Sequence, residues 1–326
     1  MKIGYALLAE QSGPAELVRH AVRGEAAGFD FEMISDAFSP WLAAQGHAPN
    51  TWPVLGASAA TSRRVELMTF ATSPVGRYHP AVVAQLAGTV GLLCEGRFTL
   101  GLGLGDSVSD AAFGQGWPSQ AARMEMLGEA LTIIEGLLRG RRVDFAGRHF
   151  RVEGAQLWDV PQPCPAVGLV VSDAASAAFA GRRADAMLAT EPDAELVGLF
   201  EDGGGLGAPR IGQLAVSYGA DAGAALARAH DQFRWRALGP PGAAHAPDPD
   251  AVARATRFIR PDDVAEAIPH GPDVGTYVAA VRRFADAGFS HLAIANVAGD
   301  RQDEFLDWAQ DALLPALREA GAIEPA

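Results

Sequence analysis

Two carboxylates stand directly after short apolar runs, at points where a strand would end and a loop begin. Asp36 follows the run in FEMISDAFSPW, and Asp106 closes the glycine-rich segment GLGLGD. A carboxylate in such a place could cap a helix, lie in a surface turn, or transfer a proton in an active site. Ala37, which follows Asp36, has no side-chain group that could take part in proton transfer.

The glycines of GLGLGD are the next candidates, because glycine lets a ligand lie close against the backbone. Their spacing is GxGxG rather than the GxGxxG of dinucleotide-binding folds, and the segment does not follow the first strand. It is therefore weak evidence for such a fold. The glycines either admit a flat ring or a phosphate, or are turn residues only.

Three loop side chains carry ring or guanidinium nitrogens. Arg77 and His79 precede a predicted helix in GRYHP, where backbone N–H groups and an arginine could hold an anion. His47 lies in a glycine-flanked loop, a setting more typical of a structural or solvated histidine than of a catalytic one. A surface position is the alternative for all three.

The elements that must position these residues alternate between strand-like runs and amphipathic helices. Eight such runs occur: KIGYALL, FEMIS, VELMTFA, RFTLGLG, AVGLVVS, AMLATE, RIGQLAVSY and HLAIANV. They predict an α/β TIM (β/α)8 barrel with loop insertions; a six-stranded open sheet with two miscounted strands is the alternative. We expect one domain over residues 1–326, with a small hairpin insertion near 142–154 and an irregular insertion near 238–260.

In a TIM barrel, chemistry occurs at the C-terminal ends of the strands, so the residues that follow the strands should face one mouth. These residues are Asp36, Thr69, Phe70, Ala71, Thr72, Gly103, Gly105, Asp106, Ser172, Asp173, Glu191, Tyr218 and Asn296. Four tryptophans are predicted near the same mouth, where aromatic walls would suit a flat conjugated ligand, unless they belong to the core. They are Trp41, Trp52, Trp117 and Trp235.

Composition excludes several classes of function. The net charge is −13 and Lys2 is the only lysine, which disfavours binding to nucleic acid or to an anionic membrane. Cys94 and Cys164 have no metal-ligand spacing, so we expect neither a metal site nor a disulfide framework. The N-terminus is typical of a strand rather than a signal peptide, and no apolar stretch approaches the ~18 residues of a membrane span. We expect a cytoplasmic protein whose partner is a small molecule.

Several longer motifs resemble the luciferase-like monooxygenases, which are flavin- or deazaflavin-dependent TIM-barrel oxidoreductases. Within that family the chain is most similar to the branch typified by coenzyme F420-dependent glucose-6-phosphate dehydrogenase. SD-x-F-x-PW and RY-x-PAV-x-AQ are fairly specific to that branch. The matching segments are SDAFSPW, GHAP, RYHPAVVAQ, GRFTLGLGLGD, VDFAGRHFRVEGAQLWDVP, AGRRADAML, ADAGFSHLAIAN and LLPALREAG.

The resemblance implies a cofactor ring at the barrel mouth, a homodimer, and a non-prolyl cis peptide at Phe70–Ala71, a bond that is rare elsewhere. The substrate pocket that it implies contains Ala37, Trp41, Trp235 and His245. The implied cofactor-binding residues are Asp36, Thr69, Phe70, Ala71, Gly103, Gly105, Asp106, Ser109, Ser172, Asp173 and Ala174.

The chain also departs from the pattern of that branch. Ala37 stands where the catalytic histidine is expected, Asp106 where a glutamate is expected, and the phosphate-binding lysines are missing. We therefore expect Asp106 to act as acid or base, with His47 as the fallback, and glucose 6-phosphate to be a poor substrate. Ser172–Asp173 replaces a frequent Gly-Gly pair, and Asp173 would repel a cofactor phosphate unless it caps the following helix.

The resulting expectation is an oxidoreductase that transfers hydride between an F420-type cofactor and a non-phosphorylated organic substrate. Two alternatives stay open: an FMN-dependent monooxygenase served by a separate flavin reductase, and a flavin-binding protein of the same fold without catalysis. An unrelated aldolase or hydrolase would need a Schiff-base lysine or a cluster of metal ligands, and the sequence has no such pattern.

Overall fold

The fold is a closed barrel of eight parallel strands. The computed structural model describes residues 1–114, 116–238 and 246–323. Barrel neighbours follow chain order from β1 to β4 and then through β7, β8, β9 and β11, and β11 pairs with β1 to close the sheet. The strands are β1 (Lys2–Leu7), β2 (Phe31–Ile34), β3 (Glu66–Thr69), β4 (Phe98–Leu102), β5 (Val143–Ala146), β6 (Arg151–Ala155), β7 (Ala166–Val170), β8 (Ala186–Ala189), β9 (Arg210–Tyr218), β10 (His270–Gly271) and β11 (His291–Asn296). The predicted TIM barrel is confirmed, and the open-sheet alternative is wrong.

Helices surround the barrel, and their ends follow simple rules. Pro14 and Pro80 occupy the first turns of two of them, where a missing N–H costs nothing, and Gly28 ends the first with φ of 103°. None of the helices in the described ranges is long and apolar enough to cross a membrane. The helices are α1 (Pro14–Ala27), α2 (Thr51–Thr61), α3 (Pro80–Leu93), α4 (Ser107–Asp110), α5 (Gln120–Leu138), α6 (Ala174–Arg183), α7 (Ala194–Phe200), α8 (Ala222–Phe233), α9 (Pro249–Ala255), α10 (Pro261–Ala267), α11 (Val274–Asp286), α12 (Gln302–Trp308) and α13 (Leu314–Glu319).

The core has two layers, because alternate residues of a strand face opposite sides of the sheet. Tyr5 and Leu7 of β1 pack outward into the large cluster beneath the helices. Ala6 of the same strand packs inward with Met33 and Met68. The inner layer fills the barrel, so a ligand can enter only at a mouth.

The two predicted insertions differ in outcome. β5 and β6 form an antiparallel hairpin in the expected interval, and the Glu129 carboxylate of α5 accepts backbone N–H groups at its turn. The segment 238–260 was expected to be irregular, and this is wrong for α9. Asp248 caps that helix, Pro249 starts it, and buried Val252 packs it against Leu42 and Val108. Residues 239–245 lie outside the described residues.

Candidate active site

A cavity of about 670 Å³ opens at the C-terminal ends of the barrel strands. This volume is typical of sites for cofactors and small organic molecules. Most of the residues predicted to face the mouth line it. They are Asp36, Ala37, Trp41, Phe70, Ala71, Gly103, Gly105, Asp106, Ser172, Asp173, Glu191 and Trp235.

Asp36 is held by a buried ion pair at the end of β2. Its carboxylate accepts hydrogen bonds from Arg77 Nη1 at 2.8 Å and from Thr72 Oγ1 at 2.7 Å. Burial raises the pKa of Asp36, while the Arg77 guanidinium and the Thr72 hydroxyl act against that rise. Because the Asp36 side chain is fully enclosed, it supports the cavity wall and is not free to transfer a proton. Arg77 is likewise committed to Asp36, so its predicted role in binding an anion is not supported.

Asp106 caps a helix and also lines the cavity. One carboxylate oxygen, Oδ1, accepts the backbone N–H of Ser109 at 2.8 Å and so caps α4. The residue also lines the cavity, and burial raises its pKa despite that hydrogen bond. Ser109 itself was predicted to bind cofactor, but it is buried and its hydroxyl accepts the N–H of Phe38.

Gly105 shows why glycine is required next to Asp106. Its φ is +77°, and a Cβ there would lie 2.0 Å from an oxygen of the buried Asp110 carboxylate. Glycine at this position therefore leaves space for the Asp110 side chain behind the cavity wall, and it also leaves room in the cavity itself.

Glu10 is a site residue that sequence reasoning missed. It lies beyond the end of β1, is 6% exposed, and lines the cavity near Asp36 and Asp106. The Ser35 hydroxyl donates to it at 2.6 Å. Burial raises the pKa of Glu10, the charges of Asp106 and Asp36 add to the rise, and Ser35 opposes it. Its position after the first strand is the signal in the sequence, because residues that follow barrel strands face the mouth.

The end of β3 carries the implied cis peptide, between Phe70 and Ala71, and both residues line the cavity. Thr69, predicted to bind cofactor, does not face the cavity. It is fully buried, and its hydroxyl exchanges hydrogen bonds with the backbone of Gly101. Alternation along the strand turns Thr69 into the barrel wall.

Asp173 was expected to repel a cofactor phosphate unless it caps the following helix. It accepts the backbone N–H of Ser176 at 2.8 Å and caps α6, as the alternative interpretation required. Desolvation acts to raise the pKa of Asp173, but the hydrogen bonds from Ser176 and Gln120 lower it overall. Ser172 lies beside it in the cavity wall, whereas Ala174 is the first residue of α6 and is not a lining residue.

Aromatic side chains form part of the wall. Trp41 and Trp235 stack with ring centroids 4.4 Å apart and an angle of 16° between their planes. Trp117 also lines the cavity, whereas Trp52 is buried and packs against Phe98 in the core. His245, the remaining predicted pocket residue, lies outside the described residues.

Three further residues were predicted to face the mouth but do not line the cavity. His47 is exposed, and its backbone N–H bonds to Glu10 outside the cavity, so the structure gives no support to a catalytic role. Tyr218 stacks on Trp308 at 4.3 Å, and Asn296 is buried and accepts the N–H of Tyr218. Both secure the fold around β9 and β11.

Two arginines in the cavity wall were also missed. Arg236 donates to the Glu191 carboxylate and to the Thr190 carbonyl, each at 2.7 Å. Arg123, in the first turn of α5, lines the cavity beside Trp117. Neither residue follows a barrel strand directly, so the strand ends give no sequence signal for them.

Comparison with known proteins agrees with this architecture. The chain is 34% identical to the F420-dependent glucose-6-phosphate dehydrogenase of Intrasporangium calvum, covering 98% of this chain and 99% of that protein. The enzyme of the same name from Mycobacterium avium is 33% identical, over 98% and 99% of the two chains.

Solved structures share the fold at lower identity. An F420-dependent secondary alcohol dehydrogenase in complex with an F420–acetone adduct superposes with a TM-score of 0.89 at 24% identity, covering 97% of this chain and 99% of that one. The coenzyme F420-dependent tetrahydromethanopterin reductase of Methanopyrus kandleri gives 0.79 at 17% identity, over 97% and 99%. The sequence model of the luciferase-like monooxygenases matches residues 1–291, and the chain belongs to that family.

Proposed function

We propose that this protein is an F420-dependent oxidoreductase that interconverts an alcohol and a carbonyl in a non-phosphorylated organic substrate. The observation that carries the proposal is the group of carboxyls, Glu10 and Asp106, with raised pKa in a cavity whose walls also include aromatic and apolar side chains. The names of the relatives support the choice of cofactor.

The residues of the cavity fit such a cofactor. Its volume suits a tricyclic ring with part of a side chain, and its walls include flat aromatic surfaces. The indole Nε1 of Trp235 is buried with no acceptor among the described residues, which indicates a polar molecule in the cavity. Phe70, Ala71 and Gly103 would hold the ring, and the start of α6 would face its tail.

The bound deazaflavin would supply the hydride chemistry, as acceptor or donor at its C5 position. The protein would position the substrate and move one proton at the substrate oxygen. Glu10 is the better candidate for the proton, because both oxygens of Asp36 are engaged by Arg77 and Thr72 and one oxygen of Asp106 caps α4. The raised pKa shifts Glu10 toward neutral pH, the direction that favours general acid–base catalysis by a carboxyl.

The charges of the wall support a substrate without phosphate. The lining residues of the described chain include no lysine, Arg236 is neutralised by Glu191, and Arg123 lies beside Trp117 at the wall where the cofactor tail would lie. Lys2 binds Glu66 at 2.6 Å at the opposite end of the barrel, where β1 and β3 begin. Ala37 removes the histidine expected there and leaves more room beside Trp41.

The test is to incubate the protein with F420 and a panel of secondary alcohols, with glucose 6-phosphate as a further arm. We expect loss of the deazaflavin absorbance with at least one uncharged alcohol, and none with glucose 6-phosphate. Glu10→Gln should lower turnover by about 100-fold or more while F420 still binds. In the direction of alcohol oxidation, activity should rise with pH through the raised pKa of Glu10, because only the carboxylate accepts a proton.

Other outcomes would support the alternatives. FMN shows two visible-edge absorbance bands where a deazaflavin shows one main band, so a co-purifying two-band chromophore would support an FMN-dependent enzyme. Tight F420 binding without turnover across the whole panel would instead support a binding protein, a function that Ala37 would suit.

A further inference from the structure

Arg123 is a buried cation in the cavity wall for which the described residues provide no ion-pair partner. It is 8% exposed, and its guanidinium carbon lies 3.8 Å from the centroid of the Trp117 ring. No described residue forms an ion pair or a side-chain hydrogen bond with it, and its Nε is buried without an acceptor. The nearby Asp110 carboxyl offsets part of this charge, but a buried guanidinium without a hydrogen-bond acceptor is costly, so the arrangement indicates that a bound molecule supplies the acceptor.

A second donor in the same wall is also without an acceptor. Trp117 Nε1 is buried and makes no hydrogen bond within the described chain. Ser119 caps the N-terminus of α5 here, and Ser172 and Ser176 line the wall where α6 begins. The N-terminal ends of two helices, of 19 and 10 residues, thus meet these two donors at one cavity wall, and helix N-termini favour anions.

The charge balance of this wall suits an anion that carries one negative charge. Arg123 is its one cation without an ion-pair partner among the described residues, since Arg236 is paired with Glu191. Asp173 contributes a negative charge nearby, fixed by Ser176 and Gln120. A doubly charged group would therefore meet one repelling carboxylate and one cation whose charge Asp110 already offsets in part.

We propose that Arg123 and Trp117 bind the phosphodiester tail of the deazaflavin cofactor, and that with Asp173 they select this singly charged group over the phosphate monoester of FMN. The proposal rests on the proposed function and adds the basis for cofactor choice. Arg123 acts as a binding residue at the tail and takes no part in hydride transfer.

Four ligands separate the contribution of the tail from that of the ring. F420 is compared with deazariboflavin, which has the same ring and ribityl chain without the phosphodiester tail, and FMN is compared with riboflavin. Dissociation constants are measured by fluorescence titration. The wild-type protein should bind F420 more tightly than deazariboflavin, and FMN no more tightly than riboflavin.

Arg123→Met should weaken F420 binding by about 10- to 100-fold, the effect of losing a charged hydrogen bond, and leave deazariboflavin binding unchanged. Arg123→Lys keeps the charge without the planar donors, and its affinity for F420 should lie between those of wild type and Arg123→Met. Arg141→Met removes the same charge at an exposed position beyond the end of α5 and should change neither constant. Unchanged binding of deazariboflavin also shows that the variant is folded.

The outcomes separate this inference from the proposed function. If wild-type protein binds deazariboflavin and F420 equally well, or if Arg123→Met weakens both alike, the tail site is refuted and the deazaflavin function stands. Tighter binding of FMN than of riboflavin would refute the selection for one charge. If neither deazaflavin binds at all, the proposed function fails.

Discussion

Glu32 offers a test of the structure that needs no ligand. It lies on β2 beneath α1, is 1% exposed, and neither carboxyl oxygen has a hydrogen-bond partner among the described residues. Burial raises the pKa of Glu32 well above its usual value, the charge of Glu25 adds to the rise, and Arg64 opposes it. The native protein should therefore hold Glu32 protonated at pH values where the unfolded chain, with a pKa of about 4.3, has lost the proton.

Proton linkage gives the sign and size of the resulting change in unfolding free energy with pH. A pKa raised by folding stabilises the native state fully below the unfolded pKa, and this contribution is lost as the pH rises through the folded pKa. Between these limits one extra proton is bound, so wild-type stability should fall by about 1.4 kcal/mol per pH unit more than that of Glu32→Gln. The difference in slope between wild type and Glu32→Gln does not depend on the cost of burying the glutamine amide, because that cost does not change with pH.

Urea unfolding of both proteins at several pH values from about 5 upward measures this slope. Glu319→Gln, which removes a carboxylate from an exposed position, is the control and should run parallel to wild type. Parallel curves for wild type and Glu32→Gln would refute the reasoning, since they would mean that Glu32 binds no extra proton in the native state.

Three further predictions concern the cavity wall. Arg77→Met should lower the free energy of unfolding by about 3–5 kcal/mol by leaving Asp36 buried and unpaired, whereas Arg139→Met, at an exposed pair with Glu135, should cost less than about 1 kcal/mol in the same urea titration. Gly105→Ala should lower stability by about 1–3 kcal/mol, because φ is +77° and the new Cβ would meet Asp110; an unchanged Tm would contradict this. Asp106→Asn should keep the cap of α4 and wild-type stability, while Asp106→Ala should lose about 1 kcal/mol; equal losses in urea unfolding would show that the cap contributes nothing.

The barrel could be predicted because strand–helix alternation extends along the whole chain. The position of Asp36 at the mouth followed from that topology, and the cap at Asp173 followed from its charge at the start of a helix. The ion pair between Asp36 and Arg77 could not be predicted, because it joins two loops whose separation depends on the closed sheet.

The errors have physical causes of their own. Thr69 and Phe70 are adjacent at a strand end, and only the register of β3 decides which one faces the cavity. Arg123 is positioned by the first turn of α5, far from any strand end in the sequence. The helix α9 was missed because Pro, Gly and Ala dominate the segment, although Asp248 and Pro249 form a regular start.

The stack of Trp41 on Trp235 has a consequence for how this site can change. The first ring follows β2 and the second follows α8, so two distant parts of the chain depend on one contact. Replacing Trp235 leaves Trp41 without its stacking partner, whereas replacing Trp41 leaves Trp235 in contact with Phe233 only, so mutations at the two positions should show epistasis. A new specificity at this wall is therefore reached more easily by paired substitutions than through either single variant.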